Sequence, residues 1–162
     1  MIEQVREHVR TLLNEGKIAA FVGLQDQSGN VVPCLYQKSE DLDDGFTIGD
    51  KEGPGDSRYP LARVLLTVLQ GYPEATFGVL VRGCDERAIN ELTRWNQIVA
   101  PERIVKVGVA CPTELAQRHE CRKPFPDEFV AGEKTEPVTN VTVADVLAMD
   151  LMGRLDYWSK EF

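Results

Sequence analysis

Residues 76–110 hold the pattern that constrains this chain most. Two short apolar runs, Thr76 to Val81 and residues 103–110 (Arg-Ile-Val-Lys-Val-Gly-Val-Ala), flank residues 85–97, where Ile89, Leu92 and Trp95 recur at helical spacing. A strand–helix–strand unit of this kind places its strands parallel, joined by a right-handed crossover. Arg82-Gly83-Cys84-Asp85 then leaves the carboxyl end of the first strand, and Ala110-Cys111-Pro112 leaves that of the second. Open α/β sheets bind ligands at this edge. The pattern predicts that Cys84 and Cys111 lie at one sheet edge and face a shared pocket.

Each residue of the first turn has a chemical reading. Gly83 permits a tight turn. Asp85 can cap the helix that follows. A helix N-terminus presents unpaired N–H groups and a positive dipole end, which suit an anion or a thiolate. Arg82 and Arg87 add local positive charge. The plainer reading stands beside it: a cysteine is often a buried apolar filler, and Asp is an ordinary N-cap.

The rest of the chain fits around this unit. Ile2, Val5, Val9, Leu12 and Leu13 predict a helix over 2–15, stopped by Gly16. Residues 17–24 read as a buried strand and 31–37 as a second, joined by the turn Asp26-Gln27-Ser28-Gly29-Asn30 into a hairpin. Pro33 directs the second strand to an edge or a bulge. The acidic run 40–44 reads as a solvated loop, and Phe46-Thr47-Ile48 as a short strand. Residues 60–70 are apolar on most sides and predict a buried helix with Pro60 in its first turn. A short helix is expected at 113–119. An irregular arm is expected at 122–141, with Pro124, Pro126 and Pro137. One long helix is expected at 142–160, packed through Val143, Val146, Leu147 and Leu151, with Trp158 and Phe162 exposed at its end. The fold class is α/β: an open mixed sheet with βαβ units flanked by helices, an N-terminal hairpin and a long C-terminal helix, in a single domain over 1–162.

Composition narrows the function classes. Eighteen basic against 26 acidic side chains give a net charge of −8 over 162 residues, which disfavours tracking a nucleic-acid backbone. No run approaches the roughly 18–20 apolar residues of a membrane span. The N-terminus opens an amphipathic helix rather than a signal-peptide core, so a cytoplasmic location is expected. The four cysteines, Cys34, Cys84, Cys111 and Cys121, form no CxxC pair, so no self-contained zinc or iron–sulfur motif is signalled. The stretch from Gly49 to Arg58 is glycine-rich but matches neither GxxxxGK[ST] nor GxGxxG, and reads as a loop. His8 reads as solvated, and His119 as a doubtful ligand. Hydrolase spacings are absent.

Three runs carry a resemblance: Arg58-Tyr59-Pro60-Leu61-Ala62; Val81 to Leu92 (VRGCDERAINEL) with Asn96-Gln97; and Ile104 to Cys111 (IVKVGVAC). Over roughly residues 58–162 the chain resembles the N-terminal part of the coenzyme F420-reducing hydrogenase and dehydrogenase β-subunit family. The nearer branch is its iron–sulfur relatives that work beside heterodisulfide reductase and formate dehydrogenase modules. Cys121-Arg122-Lys123-Pro124-Phe125-Pro126 also resembles that branch's arm.

The resemblance implies an electron-transfer flavoprotein with FAD and a [4Fe-4S] cluster, and places Cys84, Cys111 and Cys121 near cluster or flavin. Two departures stand out. The arm carries one cysteine where relatives often carry a CxxC pair, and relatives continue into a cysteine-rich ferredoxin-like segment about where this sequence ends. A missing segment or partner is therefore expected to complete the site, with no cofactor held tightly by this chain alone. The expected function is a redox subunit of a hydrogenase- or dehydrogenase-type complex, its partners ferredoxin-like, heterodisulfide reductase-type or formate dehydrogenase-type. The alternative is a non-catalytic domain that docks onto an iron–sulfur partner.

Overall fold

In helix α1 (Ile2–Asn14), Val5, Val9 and Leu12 form the buried stripe that the spacing predicts. The computed structural model that places them describes residues 1–49, 59–119, 121–137 and 143–161. Strand β1 (Ala20–Gln27) begins later than residue 17, because the chain first turns off α1, with Lys17 N–H donating to the Leu12 carbonyl at 3.0 Å. A two-residue turn returns it as β2 (Asn30–Tyr36), antiparallel, with Pro33 opposite Leu24. Strand β2 is the sheet edge, the position a residue without an N–H tolerates.

The acidic run forms a 3-10 turn (Ser39–Asp43) whose charges face solvent while Leu42 is fully buried beneath them. Strand β3 (Phe46–Thr47) then pairs antiparallel with β1 at Leu24 and Gln25. Phe21, Tyr36 and Phe46 pack ring against ring, with centroids 5.6 to 6.4 Å apart. The Tyr36 hydroxyl donates to the Leu24 carbonyl at 2.9 Å.

Helix α2 (Leu61–Gly71), β4 (Phe77–Val81), helix α3 (Gly83–Arg94) and β5 (Ile104–Gly108) follow. The sheet order is β2-β1-β4-β5, and β4 runs parallel to both β1 and β5. The two strands of the βαβ unit are therefore direct neighbours. Every residue of β4 is buried, as befits a parallel strand covered on both faces. Strand β4 pairs with Ala20–Val22 of β1, and β3 pairs with the residues just beyond. The end of β3 thus stands directly ahead of the carboxyl end of β4.

Helix α4 (Thr113–Arg118) leaves β5. Residues 121–137 are irregular and touch the outer edge of β5 through a parallel bridge between Val109 and Ala131. Three expectations need correction. Helix α3 starts at Gly83 and ends at Arg94, so Trp95 is 72% exposed rather than inward; the chain turns there, with Asn96 at φ 55°. The long C-terminal helix is two helices, α5 (Val143–Ala148) and α6 (Leu151–Glu161). Asp150 makes the break: its Oδ1 accepts the Gly153 N–H at 2.7 Å and so caps α6. The packing stripe is also different, since Val146 is half-buried but Leu147 and Leu151 are exposed. Trp158 is half exposed; Phe162, residues 50–58 of the glycine-rich stretch and the Val143 side chain lie outside the described residues. Among the described residues, no helix is long and apolar enough to cross a membrane.

Candidate functional site at the carboxyl edge of the sheet

Arg82 follows the last residue of β4 and is only 6% exposed. Its guanidinium reaches both flanks of that strand: Nη2 donates to the Ile48 carbonyl at 2.6 Å, past the end of β3, and Nη1 lies 3.5 Å from Cys111 Sγ, past the end of β5. Arg82 therefore ties three segments together across the edge where an α/β sheet binds its ligand. A charge buried this deeply must be hydrogen-bonded to persist.

Gly83 is needed for space rather than for a turn. A β-carbon there would lie 1.9 Å from the Lys123 carbonyl oxygen, because the arm crosses directly over it. Asp85 is not the N-cap. That position belongs to Arg82, and Asp85 reaches back from N3, its Oδ2 accepting the Arg82 N–H at 3.0 Å. Arg87 is exposed. Cys84 is exposed in the first turn of α3 and lines a small cavity, about 100 Å³, with Ile48, Tyr59, Leu61, Arg82 and Asp85.

Cys111 is buried, and the arm holds its peptide on both sides. Its N–H donates to the Pro124 carbonyl at 2.7 Å, and its carbonyl accepts from Thr135 Oγ1 at 3.1 Å. It packs with Leu115 and Ala116 of α4, and the half-buried Cys121 packs against the same small cluster. Cys121 N–H donates to the Ala116 carbonyl at 2.8 Å. Cys111 also lines a second cavity, about 530 Å³, with Met1, Gln4, Thr113, Gly132 and Thr135. That volume lies within the roughly 300–1,000 Å³ of small-molecule sites.

Cys84 and Cys111 thus share the predicted edge but open on different cavities, with Arg82 between them. Cys111 and Cys121 come together instead. Cys34 stands apart on β2; burial pushes its thiol above the ordinary range, outweighing the Tyr36 hydrogen bond. His119 is exposed at the end of α4, and His8 is exposed on α1.

Glu86 is the residue that sequence reasoning missed. It is 3% exposed. Its Oε1 accepts from Lys106 Nζ at 3.2 Å, and its Oε2 from Lys123 Nζ at 2.7 Å and Asp127 N–H at 2.9 Å. Burial pushes its carboxyl up, but those hydrogen bonds and the Lys106 charge prevail and hold it below the usual range. Burial likewise pushes the Lys123 ammonium down, but its bonds to Asp127 and Glu86 raise it. The signal was present: Glu86 lies three residues before Ile89, on the buried stripe of α3.

The residues do not fit a self-contained four-iron cluster. Such a cluster takes four protein ligands, usually Cys. Among the described residues, no group of three or more His, Cys, Asp and Glu side chains is arranged to hold a metal ion. No protein-family model matches the chain, and no curated protein matches its sequence.

Proposed function

We propose that this chain is an electron-transfer subunit or domain of an anaerobic hydrogenase- or dehydrogenase-type complex, as its resemblance implies. It helps to hold a flavin or an iron–sulfur cluster at the carboxyl edge of β4 and β5. The observation that carries this reading is the pair Cys111 and Cys121 packed about one small cluster, with the buried Arg82 guanidinium 3.5 Å from Cys111 Sγ. The arm shields Cys111 from water, while Cys84 stays exposed on the far side of Arg82. With too few ligands of its own, the chain shares the cofactor with a cysteine-rich segment or partner of ferredoxin-like, heterodisulfide reductase or formate dehydrogenase type. It works in the cytoplasm.

A second reading is a non-catalytic domain that docks onto an iron–sulfur partner. The exposed Leu147, Leu151, Met152, Leu155 and Trp158 of α5 and α6 favour it, because clustered apolar surface of this kind marks contact sites. Iron, sulfide and flavin analysis after anaerobic purification, with and without a cysteine-rich partner, separates the two. The redox reading expects cofactor in the complex whose content falls when Cys111 is replaced by Ser. Complex formation with cofactor content indifferent to Cys84, Cys111 and Cys121 would leave only docking.

A further inference from the structure

The arm at residues 121–137 carries few large apolar side chains, yet it runs across the site and holds Cys111 by both ends of its peptide. Beside its bridge to β5 at Val109 and Ala131, two further features set its course. The first is close backbone approach: the Lys123 carbonyl occupies the space of a β-carbon on Gly83, and the Glu128 carbonyl does the same at Gly108, 2.0 Å from the β-carbon position. The second is the buried Glu86, whose two carboxylate oxygens gather β5 through Lys106 and the arm through Lys123 and the Asp127 N–H. Lys123 thus lies with its carbonyl against Gly83 and its ammonium bonded to Glu86, two residues from Cys121.

We propose that Glu86 is a positioning residue for the cysteine site: its carboxylate fastens the arm to α3 and β5 and so sets Cys121 against the Cys111 cluster. Glu86 touches neither sulfur; it acts through Lys123 and the arm. Its importance for electron transfer rests on the redox reading above, but the positioning itself is measurable without any cofactor.

The full chain, reduced and free of oxygen, is compared with Glu86→Gln and Lys123→Met. Two readouts are taken: the alkylation rate of each cysteine by iodoacetamide, resolved by mass spectrometry, and capture by phenylarsine oxide, which bridges two neighbouring thiols. The wild type should take one arsenical across Cys111 and Cys121. Glu86→Gln should lose that bridge and alkylate Cys111 and Cys121 about tenfold faster, the scale set by losing charge-assisted hydrogen bonds in a local opening. Cys34, remote on β2, should react at its wild-type rate. Lys123→Met should move the same cysteines in the same direction by less.

Unchanged Cys111 and Cys121 rates in a folded Glu86→Gln protein would overturn the proposal. So would a parallel rise at Cys34, which would make Glu86 a general support of the fold. If Glu86→Gln does not fold, Lys123→Met decides by the same criteria. Failure of the redox reading is seen separately, in the iron and flavin content.

Discussion

The two ends of the sheet are held by different physics. Around β1 and β2, stability comes from apolar area: Val5 and Val9 of α1, the Phe21–Tyr36–Phe46 rings and Leu42 are all buried with little or no exposure. Beyond β4 and β5, apolar packing of the arm in the main core is limited to Val130 and Ala131, and directed contacts do most of the holding: the Glu86 carboxylate, the Cys111 peptide bonds and the backbone bonds at Gly108 of β5 and Ala110 just beyond it, with two glycines admitting its backbone. Apolar packing is spread over many weak contacts and loses stability in proportion to the volume removed. Directed contacts fail one at a time, and locally. The second arrangement lets a covering segment be placed, or displaced, without unfolding the domain beneath it.

Substitutions can break this contrast. The largest effect is expected from Phe21→Ala, which empties a fully buried ring position. It should cost about 3–5 kcal/mol in urea unfolding, with the chain lost as one cooperative unit. Gly108→Ala should cost less, about 1–3 kcal/mol, with the strain falling on the arm, whose backbone lies 2.0 Å from the new methyl position. Its signature should be raised Cys111 reactivity while the far-ultraviolet circular dichroism stays that of the wild type. If Gly108→Ala instead unfolded the whole domain, the two ends would not be distinct.

Acid should have the smallest effect. The groups facing Glu86 are Lys106 and Lys123, with Asp127 bonded to Lys123. The folded carboxyl of Glu86 is held below its unfolded value. Its contribution is therefore complete above the usual Glu range, about 4.3, and is lost as pH falls through the lower folded value. Cys111 should become more reactive at that point, by hydrogen–deuterium exchange of its peptide, before the core amides of β4 exchange. Simultaneous exchange of both would blur the comparison.

The same division governs what the sequence discloses. Apolar spacing marks α1, α2, β4 and β5 well, because the buried stripe of a helix or strand is written in residue type. The juxtaposition of Arg82, Cys84 and Cys111 at one edge follows from the parallel direction of the two strands of the βαβ unit. The arm is different. Glu86 falls on the buried stripe of α3, but a carboxylate reads as solvated, and the partners that satisfy it, Lys106 and Lys123, are distant in sequence and converge on it only in the fold. Gly83 reads as a turn residue, since nothing local says that Lys123 will cross it. The break at Asp150 was hidden inside a continuous helical pattern, and Leu147 and Leu151 keep the spacing of a buried stripe without being buried. Cysteine pairing was half legible: the sheet edge was right, but α4 and the arm, rather than the βαβ turn, choose Cys121 as the neighbour of Cys111.

In the proposed function, the sulfurs at this edge belong to a redox site that a partner completes. Anaerobic reconstitution with iron, sulfide and flavin, on the chain alone and with a cysteine-rich ferredoxin-like partner, measures it most directly. The chain alone should hold no stable four-iron cluster and bind flavin at most weakly. With the partner, cofactor should be taken up, and Cys111→Ser should abolish or sharply reduce that uptake. About four irons per isolated chain, with a matching paramagnetic signal after reduction, would contradict the shared site. Uptake by the complex that ignores Cys84, Cys111 and Cys121 would contradict the redox role itself.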